Sequence, residues 1–252
     1  MLCFFASSDG GDTWTDAVPW DIEAPESPST LAAVPGGDWL LVWNPKVAWG
    51  NPEKTVLIPD SHAGCSLAAS ITGADVRLLT ERYPGVPVVT YVNSSADVKA
   101  ETDICCTSSN AVQVVESLGV DRVIFLPDEY LGQYVATKTK VKLILWKGHC
   151  EVHERFTGPE LRAYREADPS VQIIAHPECE EAVLDMADYI GSTEYIIKTI
   201  EAAPAGSAWA IGTELNLVKR LALAHPDKQI VFLDKTVCFC STMNRIDLPH
   251  LV

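Results

Sequence analysis

The chain has 252 residues, 47% of them apolar, and a formal net charge of −15. This is enough for one large or two to three small domains, and the acidic balance excludes nucleic acid and anionic membrane as expected partners, because phosphate neutralisation needs clustered Lys and Arg. No apolar run reaches the roughly 18–20 residues that span a bilayer, and Met1-Leu2-Cys3-Phe4-Phe5-Ala6 lacks the basic flank of a secretory leader, so the eight cysteines are expected as metal ligands or reactive thiols rather than disulfides.

Residues 1 to about 50 differ in texture from the rest. They hold five of the seven tryptophans (Trp14, Trp20, Trp39, Trp43 and Trp49) among many Pro, Gly, Ser and Asp residues. Ser7-Ser8-Asp9-Gly10-Gly11-Asp12-Thr13-Trp14 fits the pattern S-x-D-x-G-x-T-W. Asp and Gly suit the turn of a β-hairpin there, while Thr and Trp begin the next strand. With Thr30-Leu31 and Trp39-Leu40-Leu41-Val42-Trp43 as a following strand pair, the segment resembles an Asp-box blade fragment of a sialidase-like β-propeller. A single blade cannot close a propeller, so this predicts a short hairpin-like appendage.

From Asn51 onward strands and helices alternate. Strands are expected at Thr55–Ile58, Val86–Val92, near Ile104, Val123–Leu126, Val141–Trp146, Val171–Ala175, Ala208–Ile211 and Gln229–Leu233. Helical spacing runs over Leu67–Arg82, Ala96–Lys99, a stretch ending near Leu118, Tyr130–Thr137, Leu161–Glu166, Glu180–Ala187, Glu194–Ala202 and Glu214–Ala222. Regular β–loop–α alternation predicts an α/β protein with parallel sheets covered on both faces, whose ligands gather at the carboxyl ends of the strands.

The stretch Trp146-Lys147-Gly148-His149-Cys150-Glu151-Val152-His153 ends what reads as a buried strand and delivers a cysteine between two histidines. Cys65 and Cys240 also follow strands, and the three cysteines stand 85 and 90 residues apart. The near-equal spacing predicts three similar units that each give one thiolate to a common centre. Three thiolates with one open position suit an iron–sulfur cluster acting as a Lewis acid.

Other loops after strands carry polar groups. Thr107-Ser108-Ser109, Gly191-Ser192-Thr193 and Gly212-Thr213-Glu214 are helix caps or sites for carboxylate or phosphate. Tyr91 and Asn93 could hold or protonate a substrate. In His176-Pro177-Glu178-Cys179 the Glu is either a general base or part of a surface turn.

Taken in order, these segments resemble the quinolinate synthase family. The likeness runs from Asn51-Pro52-Glu53-Lys54 through Ala63-Gly64-Cys65, Tyr91-Val92-Asn93-Ser94-Ser95, Cys106-Thr107-Ser108-Ser109-Asn110, Pro127-Asp128, Trp146-Lys147-Gly148-His149-Cys150 with His153, His176-Pro177-Glu178-Cys179, Gly191-Ser192-Thr193 and Gly212-Thr213-Glu214 to Cys240 with Met243. The resemblance implies three three-layer α/β/α domains around a pseudo-threefold axis, and a cytoplasmic enzyme of NAD biosynthesis. It implies condensation of iminoaspartate with dihydroxyacetone phosphate to quinolinate, with L-aspartate oxidase as a possible supplier of iminoaspartate. It further implies a [4Fe–4S] cluster on Cys65, Cys150 and Cys240; Glu178, Tyr91 and His153 as catalytic; and Tyr91, Asn93, Ser108, His153, His176, Glu178, Ser192 and Thr193 as substrate-binding. Cys106 and Cys179 are expected to be structural.

Two features depart from the family pattern. A His-Tyr segment and a Gly-Asp-Ser segment of the family's first domain are not found, and the Asp-box segment stands in their place; the chain also ends soon after the third cysteine, at Val252. The expectation is a chimera joined between Asn44 and Asn51. It would comprise a foreign segment (1–50), a remnant of the first α/β domain (51–82), a second domain (83–168) and a C-terminally shortened third (169–252), with impaired activity. Two alternative functions remain at this point: an inactive iron–sulfur-binding remnant, and a sialidase-like carbohydrate-binding fragment.

Overall fold

The computed structural model describes residues 64–233 and 240–243 with their side chains, and the backbones of four short strands before them. The chain forms two compact units, one of residues 64–241 and the other of residues 1–63 with 242–252. In the smaller unit, β1 (Leu2–Phe4) pairs antiparallel with β2 (Val18–Trp20), and β3 (Thr30–Ala33) pairs antiparallel with β4 (Trp39–Val42). The expected strand pair around Trp39 is therefore present. The Asp-box turn itself and the Thr55–Ile58 strand lie outside the described residues.

The larger unit opens with two helices, α1 (Ser66–Ala69) and α2 (Gly73–Arg82). The sequence suggested one helix from Leu67 to Arg82. The break comes from Thr72, which starts a new helix by a capping box: its hydroxyl accepts from the Asp75 amide, and the Asp75 carboxylate accepts from the Thr72 amide at 2.9 Å. Ile71, between the two helices, is buried and anchors the turn.

Next come β5 (Val88–Tyr91), α3 (Ala96–Ala100), β6 (Ile104–Cys106), α4 (Ala111–Ser117), β7 (Arg122–Leu126), α5 (Glu129–Lys138) and β8 (Lys142–Leu145). The four strands form a parallel sheet in the order β6-β5-β7-β8. The inner strands β5 and β7 are buried along almost their whole length, as continuous apolar runs in a parallel sheet should be. Successive residues serve opposite faces. Val89, Tyr91, Val123 and Phe125 pack with Val115, Leu131 and Val135 of α4 and α5. Val88, Ile124 and Leu126 pack with Val76 and Val98 of α2 and α3.

The second half repeats this plan. After α6 (Glu151–Glu154) and α7 (Gly158–Ala167) come β9 (Gln172–Ala175), α8 (Glu181–Leu184), β10 (Tyr189–Ile190), α9 (Thr193–Ala202), β11 (Ala208–Gly212), α10 (Leu215–Ala224) and β12 (Gln229–Phe232). They give a parallel sheet ordered β10-β9-β11-β12. Its two faces again divide alternate residues: Ile173, Ala175 and Ala210 lie toward Leu161 and Val183, while Ile174, Trp209 and Ile211 lie toward Ile196, Ile200, Val218 and Leu221. The expected α/β class with parallel sheets is thus found, and both sheets connect their strands in the same sequence.

The strand after Val141 was expected to be buried. Instead β8 is an edge strand whose residues are only partly covered. Its counterpart β12 is likewise an edge strand with exposed and half-buried residues alternating. Cys150 and Cys240 follow these two edges.

Candidate functional site

The polar centre of the larger unit is assembled from the carboxyl ends of β5, β8, β9 and β11. Tyr91 is the last residue of β5 and is almost fully buried. The Asn93 amide nitrogen donates to its phenol oxygen at 3.2 Å, and the Ser94 hydroxyl donates to its carbonyl at 3.0 Å. His176 directly follows β9, its amide donating to the Gly212 carbonyl at 2.9 Å. Its Nε2 meets the Ser108 hydroxyl at 3.2 Å. His153 comes from α6, the short helix that Cys150 begins, and its Nε2 meets the Thr213 hydroxyl at 3.3 Å.

Glu178 joins these groups. Its Oε2 stands 3.1 Å from His176 Nδ1 and 3.4 Å from His153 Nδ1, and the Tyr91 phenol is near enough to act on the same carboxylate. The two imidazoles stack, with centroids 4.9 Å apart and planes 29° from parallel. Glu178 is 3% exposed and its Oε1 has no hydrogen-bond partner among the described residues. A buried carboxylate oxygen left unpartnered is costly and marks the place where a ligand donor or a water belongs.

The electrostatics separate the roles. Burial pushes the Glu178 carboxyl up, but His153, His176 and the Tyr91 phenol together outweigh it, so the net direction is down. Complete burial pushes His153 down to about 4. At neutral pH the pair is an ionised carboxylate beside a neutral imidazole. Burial, reinforced by the charge on Glu178, holds the Tyr91 phenol protonated far into the alkaline range. The same two causes lift the buried Asp128 carboxyl to about 8.

The three spaced cysteines belong to this neighbourhood. The charge of Cys240 acts on Cys65, that of Cys65 acts on Cys150, and that of Glu178 acts on both Cys65 and Cys150. Burial raises Cys65 and pushes Cys150 up to about 12. Each stands at the N-cap of a short helix, Cys65 before α1 and Cys150 before α6, where the nearby backbone amides partly offset that rise. Cys106 and Cys179 are buried, as their expected structural role requires.

His153, His176 and Glu178 bring ligand atoms within 4.8 Å of one another. The stacked imidazoles argue against a single ion there, since an ion in the plane of one ring would lie well out of the plane of the other. The three cysteine sulfurs do not gather within that same 4.8 Å.

Of the residues singled out in the sequence, His153, His176 and Glu178 are in mutual contact, Ser108 joins through His176, and Tyr91, bonded to Asn93, acts on Glu178. Ser192 caps α9, its hydroxyl accepting from the Tyr195 amide at 3.3 Å. With Ser108, Pro177, Tyr134, Tyr195 and Lys198 it lines a cleft of about 350 Å³. Thr193 is exposed in the first turn of α9, and none of these contacts involves it. Asp128 and Thr213, named in the sequence only within Pro127-Asp128 and the polar loop Gly212-Thr213-Glu214, were given no role of their own, although both are buried. The signal available for Thr213 was its place in Gly212-Thr213-Glu214, a polar loop directly after a strand.

Comparison with known proteins agrees with this picture. Residues 47–252 match the family model described as Quinolinate synthetase A protein. A protein of Sinorhizobium fredii named quinolinate synthase is 55% identical over 202 residues, covering 80% of this chain and 55% of the relative. One from Mesorhizobium japonicum named quinolinate synthase 2 is 53% identical, covering 80% of this chain and 61% of the relative. One from Caulobacter vibrioides is 46% identical over 245 residues, covering 96% of this chain and 65% of the relative. The Caulobacter alignment therefore extends into N-terminal residues that the family model leaves out. The chain spans between about half and two thirds of the length of these curated relatives.

Proposed function

The chain belongs to the Quinolinate synthetase A family, and from that premise we propose that it is a cytoplasmic quinolinate synthase or a piece of one. It would condense iminoaspartate, supplied by an L-aspartate oxidase, with dihydroxyacetone phosphate, releasing phosphate and water. The observation that carries this reading is the convergence of Glu178, His153, His176 and Tyr91 beside three cysteines whose charges act on one another. No helix of the described residues is long and apolar enough to cross a membrane.

Cys65, Cys150 and Cys240 would hold a [4Fe–4S] cluster, which when bound supplies a Lewis-acidic iron with one position open to substrate. The chain's own residues do the rest. Glu178 is the proton carrier: ionised, dry and with a free oxygen, it can take a proton from a substrate carbon or nitrogen and return it to a departing hydroxyl. His153 and His176 hold it from one side and offer Nε2 atoms, shared with Thr213 and Ser108, to substrate carboxylates. Tyr91 stays protonated, so it can donate to a carbonyl or hydroxyl oxygen, and Asn93 fixes its phenol. Ser192, Thr193 and the amino end of α9 face the charge of a carboxylate or phosphate.

The test is anaerobic reconstitution with iron and sulfide, followed by metal analysis and a quinolinate assay, with Cys150→Ala in parallel. About four irons per chain in the wild type, fewer in the variant, and quinolinate formed from both substrates support the proposal. Iron bound without turnover supports instead a cluster-binding remnant. No iron bound overturns the assignment of the three cysteines.

A further inference from the structure

The helix that Cys65 begins is too short to hold its own place. α1 is a single turn, Ser66–Ala69, with Cys65 as its N-cap and Ser70 as its C-cap. A helix of this length is unstable alone, so packing must supply what propensity cannot. One anchor is Leu67, buried in the core cluster against which Cys65 and Cys150 both pack. A second comes from the stretch that delivers Cys150. The Trp146 indole N–H donates to the Ser70 carbonyl at 3.2 Å, across 76 positions of sequence.

The donor of that bond is itself fixed. The Trp146 amide donates to the Phe125 carbonyl at 3.2 Å, the Gly148 amide donates to the Pro127 carbonyl at 3.2 Å, and the Glu129 amide donates back to the Gly148 carbonyl at 2.7 Å. The chain therefore stays paired with the β7 side past the end of β8, to an isolated bridge between Asp128 and Gly148. The Trp146 ring packs, with Ile144, on the core cluster that contains Ile71. Gly148 keeps the approach open: a Cβ there would collide with the Ser70 hydroxyl and stand 3.3 Å from the Ser70 Cβ. Ser70 in turn closes the turn of α1, its amide and hydroxyl both donating to the Leu67 carbonyl, at 3.1 and 2.7 Å. An unbroken run of contacts thus leads from Cys65 through α1 and Ser70 to Trp146, at the head of the segment that ends in Cys150.

We propose that Trp146 is a positioning residue for Cys65: its indole fastens α1 to the strand that leads to Cys150, so that one stretch, Trp146–Cys150, sets where both sulfurs stand. The proposal rests on the reading of these cysteines as ligands of one cluster, but the placement of Cys65 is tested without metal. The acceptor is a backbone carbonyl, which no substitution at Ser70 removes, so the bond is broken from the Trp146 side. Trp146→Phe keeps an aromatic ring on the core and has no N–H to donate. Ile144→Val is the control: it loses bulk from the same core cluster and no hydrogen bond.

In the metal-free chain, alkylation by iodoacetamide is followed cysteine by cysteine by mass spectrometry, and α1 is followed by amide hydrogen exchange. In W146F, Cys65 should react several-fold faster, and the Ala69 and Ser70 amides, which donate to the Cys65 and Leu67 carbonyls, should lose protection. Cys106 and Cys179, fully buried in the core, should keep their wild-type rates, and I144V should match the wild type at Cys65. A wild-type rate at Cys65 in W146F overturns the proposal. So does an equal rise at Cys65 in I144V, or a rise shared in proportion by Cys106 and Cys179, since either means general loosening. If circular dichroism shows W146F unfolded, benzothienylalanine incorporated at Trp146, which replaces the N–H by sulfur at nearly the same shape, takes its place with the same expected results. After anaerobic reconstitution, W146F should release iron to a chelator several-fold faster than I144V. If the wild type binds no iron, the cluster reading falls, and alkylation and exchange still decide whether Trp146 holds Cys65.

Discussion

His153 and His176 stack at 4.9 Å and both turn Nδ1 toward one oxygen of Glu178. They come from separate halves of the larger unit, one on the helix after β8 and the other at the end of β9. The arrangement leaves the second carboxylate oxygen of Glu178 unpartnered in a dry site. If this group moves protons, Glu178→Gln, which is nearly isosteric, should lower quinolinate formation by roughly 10²–10⁴-fold, the usual contribution of a general acid–base. Iron content should not change, since Glu178 is not expected to hold metal. Rate and iron measured on the same preparation check this, and a variant with wild-type turnover removes Glu178 from the mechanism.

Gly148 sits where β8 turns toward Cys150. A Cβ there would stand 2.6 Å from the Pro127 carbonyl oxygen and would also collide with the Ser70 hydroxyl. The serine could rotate away, but the carbonyl belongs to backbone already bonded to the Gly148 amide. Gly148→Ala should therefore cost about 1–3 kcal/mol, the range for a forced steric insertion, and should lower iron content by shifting Cys150. Ser70→Ala added to it should recover little. Denaturant melts of the single and double variants measure the first effect, and metal analysis the second.

Much of this was readable before any coordinates, for a physical reason. Parallel inner strands must be apolar on both faces, so Val88–Tyr91 and Ala208–Gly212 stand out as local runs, and the loops after them hold the polar residues by the geometry of the fold. His176 and Glu178 lie in the loop after the inner strand β9 and Tyr91 ends the inner strand β5, while Ser108 and His153 follow the edge strands β6 and β8. Strand order, by contrast, depends on pairing over long separations, which is why the edge position of β8 was missed. The part Thr213 plays was missed for the same reason: it meets His153 from sixty positions away, and no local pattern encodes that contact. The break at Thr72 was also missed, although Thr72-Gly73-Ala74-Asp75 carries a local capping-box signal for it.

The start of α2 should depend on pH. Asp75 accepts from the Thr72 hydroxyl and amide, and Asp97 accepts from the Ser95 hydroxyl and, at 2.9 Å, from the Gly73 amide. These bonds hold both carboxyls below their ordinary value of 3.8. A carboxyl lowered by folding adds stability that is present above its unfolded pKa and disappears as pH falls through the folded one. Protection of the Gly73 and Asp75 amides against hydrogen exchange, corrected for intrinsic rates, should hold steady above about pH 5 and decline below pH 4. Thr72→Ala should weaken it at every pH and bring Asp75 back toward 3.8 in an NMR titration. An Asp75 that titrates identically in both chains would show that the capping box contributes nothing there.

Phe156 links the core to the site. It is fully buried and meets Phe232 edge-on at 5.5 Å and His153 edge-on at 6.4 Å. Its ring fills the space behind His153, so two consequences of its removal can be separated. Phe156→Ala should destabilise the chain by about 3–5 kcal/mol through lost burial and a residual cavity. It should also leave His153 without its wall, so that the Glu178 pairing loosens. Phe156→Leu keeps much of the volume and should cost considerably less, yet it removes the aromatic edge that meets His153. A wild-type rate in the Leu variant would mean that Phe156 acts on stability alone. A rate reduced several-fold at nearly unchanged melting temperature would mean that the ring sets the orientation of His153. Melting curves and turnover on the two variants distinguish these outcomes, because cavity formation acts on the first measurement and ring orientation on the second.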